Sequence, residues 1–313
     1  MTLNTVFFIN GFLEAGKTTL IKDLLKRDFF KIEEQTLIIV CEEGEEEYDK
    51  AILEEGNAVV HYLEKEEDFC EEVLTEIEKK YHAGRTLIEF NGMWDKKNKT
   101  FPWYWDDIME IAILDAKTFK LYSDNMRSLL ADKIRDAEIV VMYNSDVMRD
   151  QVAAYTRNLK LLNKSANFVF KGKNGDIKLE EKELLPYDIN AAEITLSDSD
   201  FAVFCLDSQD KPYEYRGKTV NFVAKVYVMK EDSEIQFVAG RHIMTCCAED
   251  MQFTGIICSY VRSYELANGE WVSVSGIIRV EYDKEMKKEI PICRVLELEQ
   301  IDAPEEEIIK QVS

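Results

Sequence analysis

Residues 11–18 read Gly-Phe-Leu-Glu-Ala-Gly-Lys-Thr, a complete GxxxxGK[ST] phosphate-binding loop, and no other feature restricts the fold of this chain so strongly. Such a loop works between the end of a buried strand and the first turn of a helix. Both neighbours are present. Residues 6–9 before it are apolar and β-rich, and Leu20, Ile21, Leu24 and Leu25 after it are apolar at helical spacing. Gly11 and Gly16 let the backbone bend round a phosphate chain with its N–H groups inward, and the helix N-terminus adds partial positive charge. In that geometry Glu14, Ala15, Gly16, Lys17, Thr18 and Thr19 form the phosphate cradle. The ammonium of Lys17 is expected to reach the β and γ phosphates, and the Thr18 hydroxyl to ligate Mg²⁺.

The pattern around the loop agrees with it. Up to about residue 170, expected strands at 6–9, 36–41, 86–90, 111–114, 138–143 and 167–170 alternate with helical stretches. One such stretch carries Phe69, Val73 and Ile77 on a single face, and two more cover 125–134 and 147–162. Alternation of this kind implies βαβ crossovers, hence an α/β domain: a P-loop NTPase with a mainly parallel sheet covered on both sides. Residues 171–186 are charged and interrupted, with a turn expected at Asn174-Gly175. Beyond them the pattern changes to short strands, expected at 201–206, 220–228, 236–239, 254–261, 271–280 and 294–298. Apolar residues alternate strictly over 220–228, and Asn268-Gly269 is a hairpin signal. A smaller all-β domain, barrel or sandwich, with little helix follows. The boundaries read as 1–172 for the phosphate-loop domain, 173–189 for a linker and 190–313 for the β domain; 313 residues at 46% hydrophobic content suffice for two cores.

Charge narrows the partners. With 61 acidic against 39 basic residues the formal charge is −22, which repels polyphosphate backbones and argues against nucleic acid. No apolar run approaches the roughly 20 residues that span a bilayer, so a soluble, cytoplasmic chain without membrane insertion is expected. Seven cysteines without an export signal point to reduced thiols.

Four motifs, in order, resemble those of the CobW-type metal-associated P-loop GTPases, relatives of UreG and HypB. Asn10-Gly11-Phe12-Leu13-Glu14-Ala15-Gly16-Lys17-Thr18-Thr19-Leu20 is close to the family's opening G-F-L-G-[SA]-G-K-T-T-L. The stretch from Val40 to Asp49 parallels V-N-E-F-G-E-x-x-x-D, with Glu42, Gly44, Glu45 and Asp49 in register. Ile88-Glu89-Phe90-Asn91-Gly92 parallels I-E-x-[ST]-G, and Leu114-Asp115-Ala116 resembles V-D-A. The resemblance covers about residues 4–170. It implies GTP hydrolysis with Mg²⁺, metal handling, and delivery of zinc or another divalent ion to a client protein. Two departures stand out. The family's C-x-C-C metal motif is missing, with Cys70 left nearby. The guanine-reading N-K-x-D is replaced by Tyr143-Asn144-Ser145-Asp146-Val147. Aligned on Asn144, Val147 stands where the aspartate belongs; aligned on Asp146, Tyr143 replaces the asparagine. Asn144 and Asp146 are the candidate base contacts. The second half, about residues 190–305, resembles the C-terminal region of YcgQ-like proteins through Phe237 to Asp250, Trp271 to Gly276 and Pro291. That resemblance suggests an OB-like barrel.

Several residues carry competing readings. Glu89 ends an apolar strand, where a Walker-B carboxylate polarises the Mg²⁺ shell or positions water; the alternative is a strand-end acid facing solvent. Glu42 and Glu45 sit in a run so acidic that composition alone can produce the match, and Gly44 favours a segment that rearranges with the γ-phosphate. Catalysis is assigned to Lys17, Glu89 and Glu42. His242, Cys246, Cys247 and Asp250 combine soft and borderline ligands suited to Zn²⁺. Against this, free cysteines also behave as small apolar side chains. Cys41, Cys205, Cys258 and Cys293 lie in apolar patterns and read as core. Trp94, Trp103, Tyr104 and Trp105 cluster around Pro102 and either make a docking patch or, the favoured reading, fold onto the domain's own sheet. The sequence as a whole reads as a Mg²⁺-dependent, GTP-using nucleoside triphosphatase coupled to metal handling or metallochaperone-type regulation. The alternative is a nucleotide-responsive sensor module with weak or no hydrolysis.

Overall fold

Aliphatic runs that are apolar on both sides of the strand can be satisfied only in a sheet covered on each face, and the first half of the chain builds one. The computed structural model describes residues 5–179, 184–229, 236–244 and 251–310. It divides into two compact units, 1–152 with 162–178 and 153–161 with 179–313.

In the first unit the order is β1 (Thr5–Gly11), α1 (Lys17–Leu25), β2 (Gln35–Val40), α2 (Lys50–Glu55), β3 (Ala58–Tyr62), α3 (Glu71–Tyr81) and β4 (Ala83–Glu89). Then follow β5 (Ile108–Asp115), α4 (Ala116–Asn125), α5 (Arg127–Ile134), β6 (Ile139–Tyr143), α6 (Val152–Leu162), β7 (Asn167–Gly172) and β8 (Gly175–Ile177). The strands form one sheet in the order β3-β2-β4-β1-β5-β6-β7-β8, parallel except for the final β7–β8 hairpin. Leu37 and Ile39 of β2 enter the core beneath α3 with Leu74 and Ile77. Ile38 and Val40 enter the opposite core with Ile21 and Leu25 of α1. Every strand expected in this half is present. The edge strand β3 is additional; its side chains are half-buried or exposed and give little apolar signal. The helix expected at 125–134 is present as α5, α4 before it is additional and ends at Asn125, and the helix expected at 147–162 begins as a 3-10 segment, Ser145–Gln151. Most of α6 belongs to the second unit, where Leu161 packs on the core.

The second unit contains β9 (Glu193–Thr195), α7 (Asp198–Asp210), α8 (Pro212–Tyr215), β10 (Thr219–Val228), β11 (Gln236–Met244), β12 (Met251–Ser259), β13 (Trp271–Asp283), β14 (Lys288–Ile301) and β15 (Ile308–Lys310). Strands β10, β11, β12, β14 and β13 follow one another in the sheet, and β10 also pairs with β11, so the five close into a ring. Within the ring β12 and β14 run parallel and the other neighbours antiparallel. Val220, Phe222, Ala224 and Val226 point inward, as their alternation requires.

Two expectations are corrected here. Residues 201–206 are helix rather than strand. Phe201, Ala202, Phe204, Cys205 and Ser208 are the buried residues of α7, a helical spacing, and Ser197 with Asp200 closes a capping box at its start. Phe201 and Phe204 then pack on Phe222, with ring centroids 5.2 and 6.4 Å apart. Helical content is accordingly higher than expected. Nor does Asn268-Gly269 join a hairpin, because β12 and β13 do not pair with each other. The Gly269 N–H donates to Val226 O at 2.8 Å and Asn268 Oδ1 accepts from the Val228 N–H at 3.1 Å, so the turn closes the end of β10.

Candidate functional site

Parallel pairing sets β1 between β4 and β5, and β2 beside β4, so the loops leaving β1, β2 and β4 emerge together at one edge of the sheet. Ile9 lies opposite Glu89, and Val40 opposite Glu89 on the other side. The three loops are therefore those of residues 11–18, 41–49 and 90–95. Backbone closeness is built in. At Gly92 a Cβ would stand 2.3 Å from Gly11 O, so the loop after β4 rests directly on the phosphate loop. Gly16 has φ 102°, and its α-carbon faces the Tyr143 ring, which a Cβ would meet at 3.0 Å.

The polar side chains of this edge are bonded to one another. Lys17 is 3% exposed; its ammonium donates to Gly11 O at 2.9 Å, to Phe12 O at 3.0 Å and to the carboxylate of Glu42. The Gly92 N–H donates to the other Glu42 oxygen at 3.4 Å. Glu89, 5% exposed, accepts from the Thr18 hydroxyl at 2.7 Å and from the Tyr48 hydroxyl at 2.5 Å. The acidic segment holds further positions of the loop. The Thr19 hydroxyl donates to Glu46 at 2.6 Å, and Lys22 donates to Glu46 at 3.1 Å and to Glu47 O at 2.9 Å. Glu14, at φ 58°, accepts the Glu45 N–H at 2.9 Å. Beneath the loop, buried Lys133 of α5 donates to Gly92 O, reaches Asn10 Oδ1 at 3.5 Å and lies 4.7 Å over the Phe12 ring. Phe12 itself stacks on Tyr122 at 3.8 Å.

Burial sets the acid–base character of these groups. It raises the Glu89 carboxyl above its ordinary value, against the hydrogen bonds from Tyr48 and Thr18 and the charge of Lys17, which favour the anion. Burial likewise pushes the Tyr48 phenol and the Cys41 thiol up, so both are protonated at neutral pH. The Lys133 ammonium falls to about 8, chiefly through burial and then through the nearby charge of Lys17.

At the far end of the edge, Asn144 adopts φ 54° and its side chain donates to Asp115 at 3.0 Å, while Asp115 also caps α4 through the Lys117 N–H. Asp146 accepts the Lys173 N–H at 2.7 Å, against Gly172 of the β7–β8 turn. Tyr143 thus occupies the strand end beside Gly16, and Asp146 lies three residues beyond it.

The fold brings Lys17, Thr18, Thr19, Glu14, Glu42 and Glu89 into one site. Residues that sequence reasoning missed are Tyr48 and Lys133. Tyr48 is an aromatic amid the acidic residues Glu42, Glu43, Glu45, Glu46, Glu47 and Asp49, a weak signal; Lys133 shares the buried face of α5 with Leu130 and Ile134, a position where a cation is out of place. Of the zinc candidates, Cys246, Cys247 and Asp250 lie outside the described residues. His242 is half-buried on β11, with Nδ1 3.3 Å from the Tyr227 hydroxyl. Among the described residues no cluster of three or more His, Cys, Asp and Glu side chains is arranged to hold a metal ion. Cys41, Cys205, Cys258 and Cys293 are buried. Trp105 is buried and Trp94 and Tyr104 pack against the same core; both Tyr104 and Trp105 donate to Glu78, at 2.6 and 3.2 Å, while Trp103 is exposed. No helix among the described residues is long and apolar enough to cross a membrane.

Residues 5–170 match the family model of the CobW/HypB/UreG nucleotide-binding domain, and residues 172–309 match the DUF1980 C-terminal domain. The UPF0703 protein YcgQ of Bacillus subtilis (strain 168) is 23% identical over 125 residues, 40% of this chain and 44% of the relative. The chain spans less than half the length of the curated relatives it matches. Similar solved structures include the hydrogenase maturation factor HypB from Archaeoglobus fulgidus, with TM-score 0.41 and 15% identity over 56% of this chain and 85% of that one. The Zn(II)-bound YjiA GTPase from E. coli has TM-score 0.41 and 15% identity over 94% and 90%.

Proposed function

The chain belongs to the CobW/HypB/UreG family, and from that premise we propose that it is a Mg²⁺-dependent nucleoside triphosphatase, with GTP its nucleotide, whose cycle serves metal handling or metallochaperone-type regulation of a client protein. One observation carries the reading: Lys17, Thr18 and Glu89 converge at the loop edge of a parallel sheet, each held there by a named bond. The donor set suits the ion. Thr18 Oγ1 and Glu89 Oε1 are hard oxygens 2.7 Å apart, of the kind that holds Mg²⁺ through ligation or through its waters. When bound, the ion neutralises charge on the phosphate oxygens.

The chain's own groups supply the rest. The Lys17 ammonium binds and orients the β and γ phosphates, and the N–H groups of residues 14–19 line the cradle. Glu89, whose anion Thr18, Tyr48 and Lys17 favour against the burial that raises its carboxyl, positions water or the ion's shell. We read Asp146, which accepts the Lys173 N–H, as the carboxylate that accepts the guanine N1–H and N2 amino group. In the second unit we read the closed ring of five strands as an OB-like barrel, and His242, Cys246, Cys247 and Asp250 as its zinc ligands.

A second reading, a nucleotide-responsive module with little hydrolysis, draws on the pairing of Lys17 with Glu42 and of Tyr48 with Glu89, which leaves no catalytic group of the site unbonded. Calorimetry on Lys17→Ala tests the shared premise. Affinity for GTP and GDP should fall by at least about a hundredfold, the cost of an unpaired charged contact; equal binding by variant and wild type rejects a nucleotide site here. Phosphate release by the wild-type chain with Mg²⁺ then separates the hydrolase from the sensor.

A further inference from the structure

We propose that Glu42 is a built-in stand-in for the terminal phosphate of the nucleotide, and that it sets the preference of the site between triphosphate and diphosphate. The inference rests on the nucleotide reading given above. A single carboxylate receives the Lys17 ammonium on one oxygen and the Gly92 N–H on the other. A phosphate-loop lysine serves the β and γ phosphates, and a backbone N–H at the end of the neighbouring strand is a donor that a γ-phosphate oxygen can use. These donors converge on one anion, and Glu42 is that anion.

An ordinary surface ion pair does not explain the arrangement. The side chains of Lys17 and Glu42 are 3% and 9% exposed, so the carboxylate has been taken out of water into a pocket of donors. Gly92 is held from both sides, since its carbonyl accepts from buried Lys133 while its N–H points to Glu42. Around it the segment is strapped to the loop at successive points. Glu14 holds the Glu45 N–H, Thr19 and Lys22 hold Glu46, and Tyr48 holds Glu89. Glu14 adopts positive φ to do so, a conformation that glycine takes without strain.

The consequence is a competition. A diphosphate fills the cradle and leaves Glu42 on Lys17 and Gly92, whereas a third phosphate needs the same two donors and can bind only when Glu42 leaves. Apparent triphosphate affinity is then reduced by the fraction of molecules in which Glu42 is seated, and departure of Glu42 frees the strap from 42 to 49. Triphosphate binding thus reads out as movement of that strap.

Glu42→Gln keeps the shape and removes the charge. Binding of the non-hydrolysable β,γ-imido analogue of GTP and of GDP, each with Mg²⁺, is measured by calorimetry on the full chain. The variant should bind the triphosphate analogue about tenfold tighter, with GDP changed by less than about threefold, the scale usual for coupled equilibria. Glu14→Gly removes the tether to Glu45 by an independent route and should shift the ratio in the same direction. Equal changes for both nucleotides, or weaker triphosphate binding in both variants, overturn the stand-in role and leave Glu42 a structural partner or a direct ligand. If wild type and both variants are folded by circular dichroism yet bind neither nucleotide, the nucleotide reading itself falls and this inference with it.

Discussion

Lys133 gives the sharpest test of the site's electrostatics. The residue is 2% exposed, and burial lowers its pKa from the ordinary 10.5 to about 8. Between those values the unfolded chain carries a proton that the folded chain has released. The unfolded state then binds more protons, so stability rises with pH across the window from about 8 to 10.5. At roughly 1.4 kcal/mol per pH unit, a drop of this size is worth about 3 kcal/mol. Lys133→Met abolishes the titration while keeping much of the volume. It also leaves Gly92 O and Asn10 Oδ1 without their donor, a penalty that offsets the relief of the buried charge at neutral pH, so the sign of the difference at pH 7 is not the test. The change with pH is. Guanidinium unfolding of the first unit, followed by fluorescence in a Trp271→Phe background, should show wild type gaining about 3 kcal/mol on the variant between pH 7.5 and 10.5, other titrations cancelling in the comparison. Curves that stay parallel within about 1 kcal/mol refute a charge buried at this position.

Two further predictions concern specificity and metal. If Asp146 reads the base, GTP should outcompete ATP by at least about tenfold, and Asp146→Ala should erase the preference while sparing phosphate contacts; ATP preferred by the wild type in a competition assay rejects the guanine assignment. If the second unit carries zinc, the full chain should retain about one Zn²⁺ after dialysis and release protons on loading, whereas Cys246→Ser with Cys247→Ser loses the metal with the fold intact. Metal retained by that variant, or none in the wild type, rejects those ligands.

The α/β half was legible because its signals are local and redundant. The phosphate loop specifies a strand before and a helix after it, and the apolar runs that become β1, β2, β4, β5 and β6 are buried on both faces, which leaves little room for another reading. The helix α7 was misread because Phe201-Ala-Val-Phe-Cys-Leu206 is a short apolar run, and such a run fits either period; the deciding signal was upstream, in the Ser197–Asp200 capping box. Within the site, sequence located Lys17, Thr18 and Glu89 but not their state. Lys17, expected to reach the β and γ phosphates, is buried and donates to Gly11 O, Phe12 O and Glu42. Contacts between residues 17 and 42, 48 and 89, or 92 and 133 depend on which strands are neighbours, and no local pattern records that.

The acidity of the chain acquires a meaning from the same contacts. A protein with a formal charge of −22 that places Glu42, Glu45, Glu46 and Glu47 beside a phosphate loop surrounds its own nucleotide site with the charge the nucleotide carries. Fixed in place, those carboxylates oppose binding. Two of them, Glu42 and Glu46, accept individual hydrogen bonds from Lys17 and from Thr19 and Lys22, so they can instead be exchanged for phosphate oxygens one donor at a time, and the site keeps an anion against the buried Lys17 in either state. A neutral loop at the same position would leave Lys17 buried without a counter-charge before nucleotide arrives, at a cost of about 3–5 kcal/mol for a broken buried pair. Most of the acidic run is exposed, and the residue that links it to the phosphate loop most directly is Glu42.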